Sequence, residues 1–85
     1  MPMDYNLLIA KAREFVPESI GIDMCRHESV TDPTYWLFRD SQQIGSVAYE
    51  PSYAAMWRAC RMSRGMPTAE RRFGSLPEAL QFAIS

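Results

Sequence analysis

Tyr35-Trp36-Leu37-Phe38-Arg39-Asp40-Ser41-Gln42-Gln43-Ile44-Gly45-Ser46-Val47-Ala48-Tyr49-Glu50 is the stretch whose reading decides the fold. Residues Tyr35 to Phe38 form a short aromatic and apolar run, the kind that packs on a pleated surface, followed by Arg39. Asp40-Ser41-Gln42-Gln43 interrupts them with side chains that bond nearby backbone, so a loop of about four residues is expected. Ile44 to Glu50 then resumes with period-2 alternation: Ile44, Ser46, Ala48 and Glu50 on one face, Gly45, Val47 and Tyr49 on the other. Two strands and a short loop make a hairpin.

Pro51 closes the second strand, because proline cannot donate to a ladder. Residues Tyr53 to Arg64 allow two readings. As a helix, Tyr53, Met56, Trp57 and Cys60 share a face, Gly65 is the C-cap and Pro67 the stop. As a strand from about Ala55 to Met62, Met56, Arg58, Cys60 and Met62 oppose Trp57, Ala59 and Arg61. The strand is preferred, since a lone hairpin is marginal and calls for a third strand.

Outward from this centre, Asp4 is a candidate N-cap for a helix over Tyr5 to Phe15, with Tyr5, Leu8, Ile9, Ala12 and Phe15 on one face. Pro17 ends it. Ile20 to Glu28 reads as a strand, and Ser29 to Thr34 as a loop marked by Asp32-Pro33. Met66 to Glu70 reads as a connection, and Arg71-Arg72-Phe73 as a short extended piece. Ser75-Leu76-Pro77-Glu78 is a capping box that opens a last helix with Leu76, Ala79, Leu80, Ala83 and Ile84 as its stripe.

The expectation is one compact α+β domain over residues 1–85. It has an antiparallel sheet of three to four strands in α-β-β-β-α order, with an N-terminal and a C-terminal helix on one face. Tyr5, Leu8, Ile9, Trp36, Phe38, Val47, Leu76, Leu80 and Ile84 are the expected core. That order is similar to the topology of double-stranded-RNA-binding domains. Their last helix opens with a lysine-rich phosphate clamp, whereas Ser75-Leu76-Pro77-Glu78-Ala79-Leu80 has no lysine and one acid. The likeness stops at element order, which carries no function.

Eighty-five residues support one modest core. No apolar run approaches the ~20 residues of a membrane span, and Met1-Pro2-Met3-Asp4 has neither a basic nor an apolar signal region. A cytoplasmic location is expected, with no membrane partner. Arginine outnumbers lysine eight to one, which suggests a GC-rich bacterial or phage genome. It also makes most cations planar, bidentate donors.

Catalytic and metal chemistry find little purchase. Cys25 and His27 would share a strand face, and Cys60 would have to join them from a neighbouring strand. Structural zinc normally takes four ligands in close pairs, which this chain lacks. Two distant cysteines read as free thiols. His27 is the single histidine and has only sequence neighbours, Glu28 and Ser29, to work with, so no nucleophile–base–orienter set emerges. No phosphate loop or hydrolase elbow occurs. The expectation is a protein without enzymatic activity, cofactor or metal. The methionines, Met56, Met62 and Met66 among them, read first as core filler.

Charge is the feature with content. Residues 1–50 hold four bases against eight acids, net −4, while residues 51–85 hold five arginines against two glutamates, net +3. Arg58, Arg61, Arg64, Arg71 and Arg72 are interleaved with Tyr53, Trp57 and Phe73. They can pair with the chain's own acidic half, dock on an acidic protein, or grip phosphates and stack on bases. The reading adopted is a small inhibitor or adaptor that meets an acidic protein surface through Trp57, Arg58, Arg61, Arg64, Arg71 and Arg72. Nucleic-acid binding through the arginine-rich 58–72 segment is the alternative. The slightly negative overall charge weighs against it.

Overall fold

The computed structural model describes residues 5–25 and 32–85. Helix α1 (Tyr5–Arg13) is followed by strands β1 (Gly21–Met24), β2 (Thr34–Arg39), β3 (Gln42–Tyr49), β4 (Trp57–Ser63) and β5 (Met66–Phe73), then helix α2 (Leu76–Ile84). The strands form one sheet in the order β1-β2-β3-β4-β5, every neighbouring pair antiparallel. The fold is α+β as expected, but among the described residues the sheet has five strands where three to four were predicted, and the order is α-β-β-β-β-β-α.

The extra strand is β5. Met66 to Glu70, expected as a connection, is part of this strand although Pro67 lacks an N–H. A sheet edge tolerates that; Pro67 pairs with Met62, and the register shift between Arg61 and Met62 leaves Thr68, beside the proline, as the extra residue. Arg64 and Gly65, with φ of 53° and 78°, turn the chain directly from β4 into β5. Positive φ at both central residues matches the twist of a two-residue hairpin. The strand reading of the 53–64 region holds over Trp57–Ser63. Gly65 thus serves a hairpin, and no helix C-cap is formed there.

The β2–β3 hairpin is tighter than predicted. Asp40 and Ser41, at φ of 51° and 66°, form the whole turn, and Gln42 and Gln43 join the ladder. Arg39 opposes Gln42 and Phe38 opposes Gln43, then the register slips so that Leu37 opposes Gly45 and Tyr35 opposes Val47. Ile44 is the extra residue of this bulge. Without the slip, Trp36 would oppose Gly45, and Trp36 and Phe38 would share the face of Val47. With it, Tyr35 and Leu37 take that face, at 2% and 0% exposure, and Trp36 and Phe38 turn to the opposite one. The expected core placement of Trp36 and Phe38 is therefore corrected by one inserted residue.

One cluster holds Ala12 and Val16, Ala79, Leu80 and Ala83 of α2, and Met24, Tyr35, Leu37, Val47 and Ala59 of the sheet. Both helices lie over this face. Tyr5, Leu8, Ile9, Leu76 and Ile84 pack against the cluster as partly buried residues, while Val47 and Leu80 are fully buried as expected. α2 comes closest over Gly45, where a Cβ would sit 2.6 Å from the Ala83 carbonyl and 2.8 Å from that of Cys60. Alanines at 79 and 83 permit this approach.

Helix α1 ends two residues before the predicted Phe15. Its last turn tightens through i→i+3 bonds such as Phe15 N–H to the Ala12 carbonyl at 3.0 Å. Arg13 donates to the carbonyls of Ile20 and, at 2.8 Å, Pro17. The Gln81 amide donates to the Phe15 carbonyl at 2.7 Å, linking the end of α1 to α2. At the start of α2 the Ser75 hydroxyl bonds the Glu78 carboxylate at 2.9 Å in place of the backbone N–H a capping box would use. The proposed cap Asp4 and residues 26–28 of the predicted first strand, His27 among them, lie outside the described residues.

Candidate partner-binding surface

Every predicted site residue falls on β4, β5 or the turn between them, and strand alternation deals them to opposite faces. Trp57↔Phe73, Ala59↔Arg71 and Arg61↔Ala69 are cross-strand pairs on the helix-covered face. Arg58↔Arg72 and Cys60↔Glu70 are pairs on the other. The five arginines adjacent in sequence are thus two groups and a tip.

The first group lies on the uncovered face and is neutralised internally. Arg58 reaches Glu50 at 3.4 Å and Glu70 at 3.3 Å, and Arg72 pairs with Glu50. Two guanidinium groups meet two carboxylates, one of them from the acidic half of the chain. The Arg72 guanidinium carbon also lies 3.6 Å from the centroid of Tyr53, and its buried Nη1 has no hydrogen-bond partner. The loop after β3 brings Tyr53 here: Glu50 N–H bonds the Met56 carbonyl at 2.6 Å, and Tyr53 N–H bonds the Glu50 carbonyl at 3.2 Å. Beside this network burial pushes the Cys60 thiol above its ordinary range; Glu70 adds to the shift and Arg58 partly offsets it. A raised thiol keeps little thiolate at neutral pH, which lowers its reactivity.

The second group lies at the rim of the covered face. Arg61 donates from Nε to the Phe82 carbonyl at 2.9 Å and from Nη2 to the Ser85 hydroxyl at 2.6 Å, and its guanidinium carbon sits 4.1 Å from the Phe82 centroid. It caps the C-terminal turn of α2, where a cation complements the exposed carbonyls. Arg71 is exposed on β5, its guanidinium carbon 5.5 Å from the Phe73 centroid. Among the described residues no carboxylate lies within ion-pair distance of Arg71 or of Arg64, which is exposed at the turn. Trp57 is half-buried against the core, 4.8 Å from Tyr49 and 6.3 Å from Tyr35 between ring centroids.

An open groove runs beside Arg71 between β5 and α2, lined by Phe73, Pro77, Glu78, Gln81 and Phe82. Phe73 and Phe82 form its apolar floor with centroids 5.5 Å apart. Sequence reasoning missed this groove, since nothing in the spacing of residues 73 and 82 shows that they meet.

The three thiol and imidazole groups weighed as a metal site do not converge in their described part. Cys25 follows β1 and Cys60 lies on β4, so β2 and β3 separate them by about 14 Å of sheet. Both are free thiols. Among the described residues no cluster of three or more His, Cys, Asp or Glu side chains could hold a metal ion, and no helix is long and apolar enough to cross a membrane. Compared with known protein families, curated proteins and solved structures, the chain matches none.

Proposed function

We propose that this protein works by binding, as a small inhibitor or adaptor without catalytic activity, and that its partner is a protein presenting an acidic surface to the β4–β5 rim. The observation that carries the reading is the division of the arginines. Arg58 and Arg72 are matched by Glu50 and Glu70, and Arg61 is committed to α2. Arg71 and Arg64 stay exposed without a carboxylate among the described residues, and Arg71 borders an apolar groove. Exposed arginine beside aromatic side chains is the usual chemistry of a protein-interface anchor. A phosphate-tracking surface would instead need several unpaired cations in one line. Here Arg58 and Arg72 lie across the sheet from Arg71.

The test is fluorescence polarisation of a labelled glutamate-rich peptide and of labelled DNA and RNA, each at low and high salt. The peptide is expected to bind, and Arg64→Glu with Arg71→Glu to weaken it at least about tenfold, whereas Arg58→Gln leaves it within about twofold. Tight nucleic-acid binding that collapses with salt, with no peptide binding, would overturn the reading in favour of a nucleic-acid partner.

A further inference from the structure

The strand that carries Arg71 is also the open edge of the sheet. On its inner side β5 pairs with β4 along its length, and among the described residues no strand pairs with its outer side. Such an edge presents a row of unpaired N–H and C=O groups that an extended peptide can join. Pro67 has no N–H to offer, which confines the usable edge to Thr68–Phe73. Arg71 and Phe73 are two residues apart on that edge, so both side chains project to the helix-covered side. There they meet the groove floored by Phe73 and Phe82.

Resting on the acidic-partner reading above, we infer that the partner enters as an extended segment added antiparallel to β5. It carries an aromatic or aliphatic residue and an acidic residue at positions two apart. In an added strand, residues at i and i+2 face the same side. The residue opposite Phe73 drops an apolar side chain into the groove, and the residue opposite Arg71 presents a carboxylate to the guanidinium. Among the described residues no carboxylate pairs with Arg71, so its guanidinium can form that charge-assisted pair. The other polar groups near the groove are already engaged: Glu78 accepts from Ser75, Gln81 donates to Phe15, and Arg61 holds Phe82 and Ser85. A second copy of this chain fits less well, because it would bring two net-positive edges together. The charge of β5 itself discourages self-pairing in the way edge strands commonly do.

The experiment uses the full chain and three fluorescein-labelled peptides in a Thr- and Val-rich extended background: one with Phe-x-Glu spacing, one with Phe and Glu adjacent, and one with Phe-x-Lys. A fourth repeats the first with alternate backbone amides N-methylated on the ladder side. The Phe-x-Glu peptide is expected to bind at least about tenfold more tightly than the adjacent-spacing isomer and to lose at least about tenfold on N-methylation. Arg71→Glu should lose the Phe-x-Glu peptide and gain the Phe-x-Lys one. Equal affinity for both spacings, or indifference to N-methylation, would overturn strand addition while leaving an acidic partner in place. Absence of binding by every glutamate-containing peptide would overturn both.

Discussion

Arg71 and Arg72 are neighbours in the chain and opposites in the structure. Arg72 lies under the Tyr53 ring and pairs with Glu50, in a cluster whose two arginines and two glutamates cancel. Arg71 stands on the other face of the same strand, beside an apolar groove and, among the described residues, without a carboxylate. The difference shows that a run of like charge in a strand is two half-runs. Each must be judged against what its own face offers. On the uncovered face Glu50 and Glu70 pair with the arginines, while on the covered face the one acid of α2, Glu78, accepts from Ser75, and among the described residues only the second face leaves Arg71 without a carboxylate.

The largest test of the two faces is steric. Gly45→Ala points a methyl at the Ala83 and Cys60 carbonyls and forces α2 off the sheet. It should destabilise by about 1–3 kcal/mol, as overpacking does. Ala48→Thr, on the opposite face, should shift stability by less than about 0.5 kcal/mol. Urea melts of the two variants decide this; equal losses would mean that the faces are not mechanically distinct.

Next comes the division of labour within the rim. Arg61→Ala removes the 2.9 Å bond to Phe82 and the bond to Ser85, so α2 should fray with a loss of about 1–2 kcal/mol. Arg71→Ala should cost less than about 0.5 kcal/mol, since it releases only an exposed contact with Phe73. Thermal melts followed by helical circular dichroism separate the two. A large loss from Arg71→Ala would make it a structural residue and remove it from the proposed surface.

Glu50→Gln attacks the neutralised side. It should cost only about 0–1 kcal/mol, screened by salt, because these ion pairs are partly exposed. More informative is its effect on binding: with Arg72 released and Arg58 left with Glu70 alone, an acidic probe should gain a second, weaker foothold on the uncovered face. Polarisation titrations would show it as added low-affinity binding that high salt removes.

The smallest effect is alkaline. Burial raises the titration of the Tyr35 phenol on the covered face and of the Cys60 thiol on the other. Both groups are neutral when protonated, so above their ordinary values near 10 and 9 the unfolded chain loses a proton that the folded chain keeps. Stability is therefore intact below about pH 9 and falls as pH rises beyond it. Melting temperatures from pH 7.5 to 10.5 should decline, and Tyr35→Phe should flatten part of the decline.

Much of this frame was legible in the chain. The alternation of Ile44 to Glu50 correctly separated Gly45, Val47 and Tyr49 from Ser46 and Ala48, and the stripe of Leu76, Ala79, Leu80 and Ala83 marked α2. The Trp36 and Phe38 face was not legible. It depends on one bulged residue, Ile44, and single-residue slips leave no trace in a hydrophobic pattern. Strand β5 was hidden because Pro67 and three consecutive charged residues disguise an edge strand as a loop. The six candidate site residues all fall on the β4–β5 hairpin. Their separation into paired and unpaired groups needed the register between β4 and β5, and the Phe73–Phe82 groove needed the docking of α2.

The most direct measurement is a ¹H–¹⁵N correlation titration of the labelled protein with a glutamate-rich peptide. The account predicts shifts concentrated on Thr68 to Phe73 and on Gln81 to Ser85, with the amides of Trp36, Ser46 and Arg58 nearly still. Shifts centred on Trp36, Ser46 and Arg58, or a spectrum unmoved at millimolar peptide, would contradict it.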